Sequence, residues 1–249
     1  MGTNDKEEVE MRIGILSAVV IGFALLACNP FNDSITGSGN VITNSMEISG
    51  FTKIKTGNSF QVTITQSQDY SVVIKADDNL VEHLDVRLDG DTLIVNMVPG
   101  KSARNATLKA EVSLPDLEGV IFGGVSRGTL HGITSQGDFT VRVSGASSLR
   151  GDLQVRQMEV RVSGASRIDL NGSSATLDVH GSGASTVDME GFSVDSAQVV
   201  LSGASTARLD VKDDIGPATL SGASRLIYSG DPAFRDFKTT GASSISARE

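Results

Sequence analysis

The chain has 249 residues, 39% apolar and 20% charged, with 27 glycines, no tryptophan and a net charge of −9. That is enough for one domain with a continuous interior, and the acidity disfavours DNA, RNA or an anionic membrane surface as a partner. One cysteine excludes an intramolecular disulfide.

Residues 13 to 27, IGILSAVVIGFALLA, are fifteen mostly apolar positions, short of the roughly 20 that a spanning helix needs. They end on Leu25-Leu26-Ala27-Cys28, which resembles the cleavage box of a bacterial lipoprotein signal peptide. The resemblance implies removal of residues 1–27 and a diacylglycerol on the Cys28 thiol, each buried methylene adding about 0.8 kcal/mol of membrane affinity. The alternative is a short membrane anchor. Counted from Met1, the lead MGTNDKEEVEMR carries four acids against Lys6 and Arg12, the wrong sign for a signal segment. Counted from Met11 it is Met-Arg, so Met11 is the expected start. The processed chain keeps 19 basic and 26 acidic side chains, a net charge of −7. Residues 28–40, rich in Pro, Gly, Ser and Asn, read as a tether between lipid and domain.

From Val41 the apolar residues alternate. Phe60, Val62 and Ile64 sit two apart, as do Val72 and Ile74, Val86 and Leu88, and Leu93 and Val95, which is a strand period with Asp89-Gly90 as a tight turn. NLVEHL at 79–84 allows one helical turn at most.

From about Leu114 the pattern becomes a repeat built on Ser-Gly-Ala-Ser. Its glycine falls at Gly124, Gly145, Gly164, Gly183, Gly203, Gly222 and Gly241, at intervals of 21, 19, 19, 20, 19 and 19 residues. So regular a period is a coil length, and with short strands and no room for helices it predicts an all-β, single-stranded parallel β-helix, or β-solenoid, with coils of about 19–20 residues. Residues one, three and five before the first motif serine are largely apolar, as in Phe139, Val141 and Val143 or Met158, Val160 and Val162. The position five after it is Leu149, Ile168, Val187, Ala207, Leu226 or Ile245. The tetrapeptide reads as a corner: glycine takes positive φ without the penalty of about 1–2 kcal/mol that other residues meet, and the serines bond local backbone. The alanines, Ala146, Ala165, Ala184, Ala204, Ala223 and Ala242, are expected to point inward and stack on one another, so that leucine there costs about 1–3 kcal/mol.

GSGN at 37–40, FTKIKTGNSFQVTI at 51–64, VVIKADDNL at 72–80, LDGDTLIV at 88–95 and the SGAS array together resemble the head GIN domain family, a group described as auto-transporter adhesins and common among Bacteroidota lipoproteins. The likeness runs over nearly all of residues 37–249. It implies a right-handed β-helix over 41–249, exported to the cell envelope, and carries over no catalytic residue, cofactor or metal site.

Candidate chemistry is sparse. Gly124-Val125-Ser126-Arg127-Gly128 matches the G-x-S-x-G nucleophile elbow, with His131 and His180 following, but that motif needs a strand-turn-helix context and here it falls on the corner register. The histidines, His83, His131 and His180, lack metal-ligand spacing with each other or with the cysteine. Asp169 and Asp188 hold equivalent positions in adjacent coils, with Arg150 and Arg208 in the same register on either side. They read as solvated acids relieved by arginines, the alternative being a calcium site or an acid/base pair. The expected function is therefore a non-catalytic, lipid-anchored adhesion or binding module for an envelope glycan or protein. A carbohydrate-active enzyme of the pectin-lyase type and a module that associates end to end are the alternatives. Phe234 and Phe237 are candidates to cover the last coil instead.

Overall fold

A computed structural model of the chain describes residues 33–248. The signal segment 1–27, the start at Met11, Cys28 and residues 28–32 of the tether lie outside the described residues.

The alternating segments are strands throughout. β1 (Asp33–Thr36) and β2 (Val41–Met46) precede β3 (Lys53–Thr56) and β4 (Gln61–Gln66). β5 (Ser71–Asp77), a single 3-10 turn (Asp78–His83), β6 (Leu84–Asp89), β7 (Thr92–Met97), β8 (Lys101–Arg104), β9 (Leu108–Leu114) and β10 (Gly119–Phe122) follow. β11 (Arg127–Val143), β12 (Ser148–Val162), β13 (Arg167–Gly181), β14 (Thr186–Leu201) and β15 (Thr206–Leu220) each run from one corner to the next. β16 (Arg225–Ser229), β17 (Ala233–Phe234), β18 (Phe237–Thr239) and β19 (Ser244–Ala247) complete the last turns.

From β10 onward every recorded pairing between successive coils is parallel, and the structure is the β-helix that the period predicts. Like positions therefore pile up in columns. Val141, Val160, Val179, Val199 and Ala218 form one, and Leu149, Ile168, Val187, Ala207 and Leu226 another. All ten are buried, and burial of such columns between neighbouring coils is what stabilises a solenoid. Removing a ring from this interior, as in Phe139→Ala, leaves a cavity expected to cost about 3–5 kcal/mol.

The stack does not follow chain order at its N-terminal end. β3 pairs in parallel with β10 on one side and with β7 on the other, and β4 likewise with β11 and β9. The coil built from β3 and β4 is thus sandwiched: the chain leaves it, builds outward through β5–β9, and returns past it to β10. Gln66 pins the crossing, its amide nitrogen donating to the Pro115 and Thr134 carbonyls at 2.9 and 3.0 Å and its oxygen accepting from the Thr134 amide at 2.7 Å. Beyond this coil the pairing becomes antiparallel, β6 on β7, β5 on β9 and β2 on β5. The Asp89-Gly90 turn closes the β6–β7 hairpin, with Gly90 at φ +61°.

The tetrapeptides form one continuous column of corners, but with the opposite residue inside. Ala146, Ala165, Ala184, Ala204, Ala223 and Ala242 are exposed, and the second serine of each copy, Ser126, Ser147, Ser166, Ser185, Ser205 and Ser224, is buried. The expectation of inward alanines is corrected on that point. The reason is parity: strand alternation carries through the corner, so the side chain four residues beyond inward Val143 or Val162 is the serine. The corner is also a ladder rung, since the amide of Ala165 donates to the Gly145 carbonyl and that of Ala184 to Gly164, both at 2.8 Å. Glycine is required twice over. All seven corner glycines have φ between +68° and +78°, and a Cβ on Gly164 would sit 2.4 Å from the Gly145 carbonyl oxygen of the coil below.

Residues 34–40 belong to the folded domain. β1 pairs with β8, and the GSGN motif wraps onto Asp77-Asp78-Asn79. Gly39 donates its amide to Asp77 Oδ1 at 2.7 Å, the Ser38 hydroxyl and Asn40 amide donate to the two Asp78 oxygens at 2.5 and 2.8 Å, and Ser38 N–H reaches Asn79 at 3.0 Å. Asp77, 2% exposed, also accepts the Thr107 amide at 2.6 Å. At the other end, Phe234 packs edge-on against Tyr228 with ring centroids 5.0 Å apart, while Phe237 is 63% exposed.

Candidate functional site

Because inward positions are filled by packed side chains, what the molecule offers a partner is its outer rows and the bends between sheets. The sheet after the corner carries the charged rows. Arg150, Asp169, Asp188 and Arg208 are in register on successive coils. Asp188 lies between two guanidinium groups, Arg167 at 2.9 Å and Arg208 at 3.7 Å, and Arg167 also stands 3.9 Å from Asp169. Arg208 and Arg248 reach Glu190 at 3.8 and 2.7 Å. The stacked acids are therefore engaged by arginines, and among the described residues no three His, Cys, Asp or Glu gather as a metal-ligand set.

The sheet before the corner presents Arg142, Arg161 and His180 in one row and Glu159 and Asp178 in the next. Arg161 pairs with Glu159 at 2.5 Å and His180 with Asp178 at 3.1 Å. His131 is exposed on β11, and His83 lies 3.6 Å from Glu82. The structure brings none of the three histidines to Ser126. The Ser126 hydroxyl is fully buried and donates to the Gly123 carbonyl at 2.7 Å, so it serves the corner. The same three-residue bond recurs from Ser224 to Ser221 at 2.9 Å and from Ser205 to Ser202.

Nearer the N-terminal end, Lys53 bonds Asp91 at 2.7 Å and lies 3.7 Å from Glu118. The bond to Lys53, with a smaller contribution from the Thr92 hydroxyl, holds the Asp91 carboxyl below the usual carboxylate range, and Asp91 raises the Lys53 ammonium in return. These groups are largely exposed, and such pairs contribute little to stability.

Two grooves cross several coils. One, of about 330 Å³, follows the second bend of the coil and is lined by Thr134, Gln154, Ser173, Ser174 and Ser193, with Arg156, Asp195 and Lys212 at its rim. The other, of about 390 Å³, lies on the sheet before the corner and includes Asp138, Glu159, Asp178 and Asp214. Asp138, Glu159 and Asp214 each face an arginine, at 4.0, 2.5 and 3.5 Å, and Asp178 faces the His180 imidazole at 3.1 Å. Neither groove was foreseen from the sequence. The residues of the first are individually unremarkable Ser, Thr and Gln, and only the coil register brings them into line.

A family model described as "Putative auto-transporter adhesin, head GIN domain" matches residues 50–232. Among solved structures, an adhesin described as putative from Bacteroides fragilis is similar at 22% identity with a TM-score of 0.79, covering 86% of this chain and 100% of that one. One so described from Parabacteroides merdae is similar at 19% identity and TM-score 0.64, covering 87% and 100%. A protein from Parabacteroides distasonis, described as a putative lipid binding protein, is similar at 15% identity and TM-score 0.68, covering 87% and 100%. These likenesses establish the shared fold. No curated protein sequence matches the chain.

Proposed function

For a chain that belongs to the head GIN domain family, we propose the role of a non-catalytic adhesion or binding module held at the cell envelope by a lipid on Cys28. The observation that carries this reading is the outer surface: side chains stand in coil-to-coil rows over a packed interior, and two open grooves cross those rows. A surface of this kind engages extended partners along its length. The absence of catalysis is supported by the Ser126 hydroxyl being buried in its corner and by Asp188 being clamped between arginines.

The experiment is a binding screen of the purified protein against envelope glycans and envelope proteins, together with protease shaving of intact cells and metabolic labelling with a fatty acid. Saturable binding to a member of either class and lipid incorporation lost in Cys28→Ala are expected. No binding across both classes contradicts the module, and labelling that persists in Cys28→Ala contradicts the anchor. Self-association is a second reading with one observation behind it: Phe237 is in register with inward Ala218 yet 63% exposed. A strict monomer by light scattering at all concentrations excludes it.

A further inference from the structure

We propose that the ridge formed by the stacked corners binds a single linear anionic polysaccharide, bearing carboxylate or phosphate groups, laid parallel to the stack axis. The inference rests on the binding-module reading and assigns it a place and a ligand class.

Acids are missing from this ridge. The stretch from the last outward position before the corner to the first one after it is 142–148 in one coil and 161–167 in the next. Its copies are 55–61, 121–127, 142–148, 161–167, 180–186, 200–206, 219–225 and 238–244, and none contains Asp or Glu, although the chain holds 30 of these against 21 Lys and Arg. Lys55, Arg142, Arg161 and Lys238 stand in one outward column before the corner, with His180 in the same column. Arg127, Arg167 and Arg225 stand in the column after it. A positive edge thus runs along a molecule whose net charge is −9, and such an edge draws anions to itself.

Most of these cations are also left open. Arg161 is relieved by Glu159, and Arg167 by Asp188. Thr140 takes the place that Glu159 holds one coil on, and Arg142 is without a partner. Among the described residues Lys55, Arg127, Arg225 and Lys238 likewise make no ion pair or side-chain hydrogen bond, and all five are exposed. Arg142 and Arg161 stack at the ladder spacing of about 4.8 Å, where like charges repel unless an anion lies between them. Between the two columns, from Gly145 to Ala242, the crest is exposed glycine and alanine, so nothing bulky holds a ligand off the guanidinium groups.

Other ligand classes fit less well. The next outward rows bring acids back, Glu159 and Asp178 on one side and Asp169 and Asp188 on the other, so a bilayer or a duplex wider than the ridge meets a repulsion that a single chain avoids. The ridge offers no ring for base stacking, since its Phe60 and Phe122 are buried. Its backbone is engaged in the corner ladder, so a peptide finds no free strand edge there. A neutral glycan leaves the five open cations without a counter-charge.

The test is titration of the purified protein with polygalacturonate, phosphomannan and dextran, and cosedimentation with phosphatidylglycerol vesicles. The variants are the double Arg127→Gln with Arg142→Gln, Ala165→Glu on the exposed crest, and Arg156→Gln on the second bend as the control for lost charge. At least one of the two polyanions is expected to bind, which of them telling carboxylate from phosphate, and dextran is expected not to. Affinity is expected to fall about tenfold in the double variant, to fall also in Ala165→Glu, to stay unchanged in Arg156→Gln, and to drop steeply between about 50 and 200 mM salt. Polyanion binding indifferent to both the double variant and Ala165→Glu overturns the ridge while leaving the binding module intact. So does dextran binding as tight as that of either polyanion, or vesicle binding with no polysaccharide bound. Failure to bind either polyanion overturns the proposal as well, and the wider screen of envelope glycans and proteins then decides the module separately.

Discussion

At the scale of single residues, the second serine of four corners, Ser126, Ser205, Ser224 and Ser243, trades water for a carbonyl three positions back. Ser126 is fully buried in that bond, so a fluorophosphonate probe is expected to leave the purified protein unlabelled by mass spectrometry, and Ser126→Ala to cost about 1 kcal/mol with no change in ligand binding. Labelling at Ser126 would restore the nucleophile reading. Asp188, held between Arg167 and Arg208 but 22% exposed, is a pair of the partly solvated kind. Asp188→Asn is expected to shift stability by no more than about 1 kcal/mol in urea denaturation. The register that aligns Asp169 and Asp188 was legible, because a repeat of known length turns sequence spacing into spatial neighbours. The direction of the corner side chains is not legible from residue size: alanine is small enough to fit inside the bend, but counting by twos from Val143 leads to Ser147 and leaves Ala146 outside.

At the scale of elements, the clasp between GSGN and Asp77-Asp78-Asn79 ties the start of the domain to the end of β5. Hydrogen bonds from the Ser38 hydroxyl, and then from the Asn40 amide, hold the Asp78 carboxyl below its ordinary value. A depressed folded value means that this contribution is present above the unfolded carboxylate value of about 3.9 and is lost as pH falls through the folded one. Acidification below about pH 4 is accordingly expected to speed amide exchange at Asn79, whose N–H donates to Asp78, and at Asn40, whose N–H rests on the Ser38 hydroxyl, before exchange at Ala165 in the corner ladder. Simultaneous loss of protection at both would show that the clasp has no separate titration. Both halves of the clasp stood out as motifs, yet GSGN was assigned to a tether, since nothing local links Ser38 to Asp78, forty residues away. Strand alternation over 60–64, 72–74 and 93–95 identified the elements, but alternation is the same for parallel and antiparallel partners. The antiparallel pairing of β5 with β2 and β9 was therefore invisible in the sequence, whereas the Asp89-Gly90 turn marked the β6–β7 hairpin.

At the scale of the whole molecule, the stack is a sum of neighbouring-coil contacts, and its regular part was legible because the corner repeats within a residue or two. Residues 41–113 carry no such repeat, so the sandwiching of the β3–β4 coil between β7–β9 and β10–β11 depends on long-range pairing that spacing does not encode. The rows and the corner ridge proposed to hold a ligand exist only if every coil turns at the same corner. Equilibrium unfolding of Ala165→Leu, Gly164→Ala and Ser166→Leu, three substitutions in one corner, tests that column most directly. The outward alanine is expected to tolerate leucine within about 0.5 kcal/mol. Gly164→Ala is expected to lose at least about 1–2 kcal/mol to its positive φ and the coil beneath, and Ser166→Leu about 1–3 kcal/mol to overpacking. A destabilising Ala165→Leu beside a neutral Ser166→Leu would contradict the inward serine, and with it the corner geometry on which the rows depend.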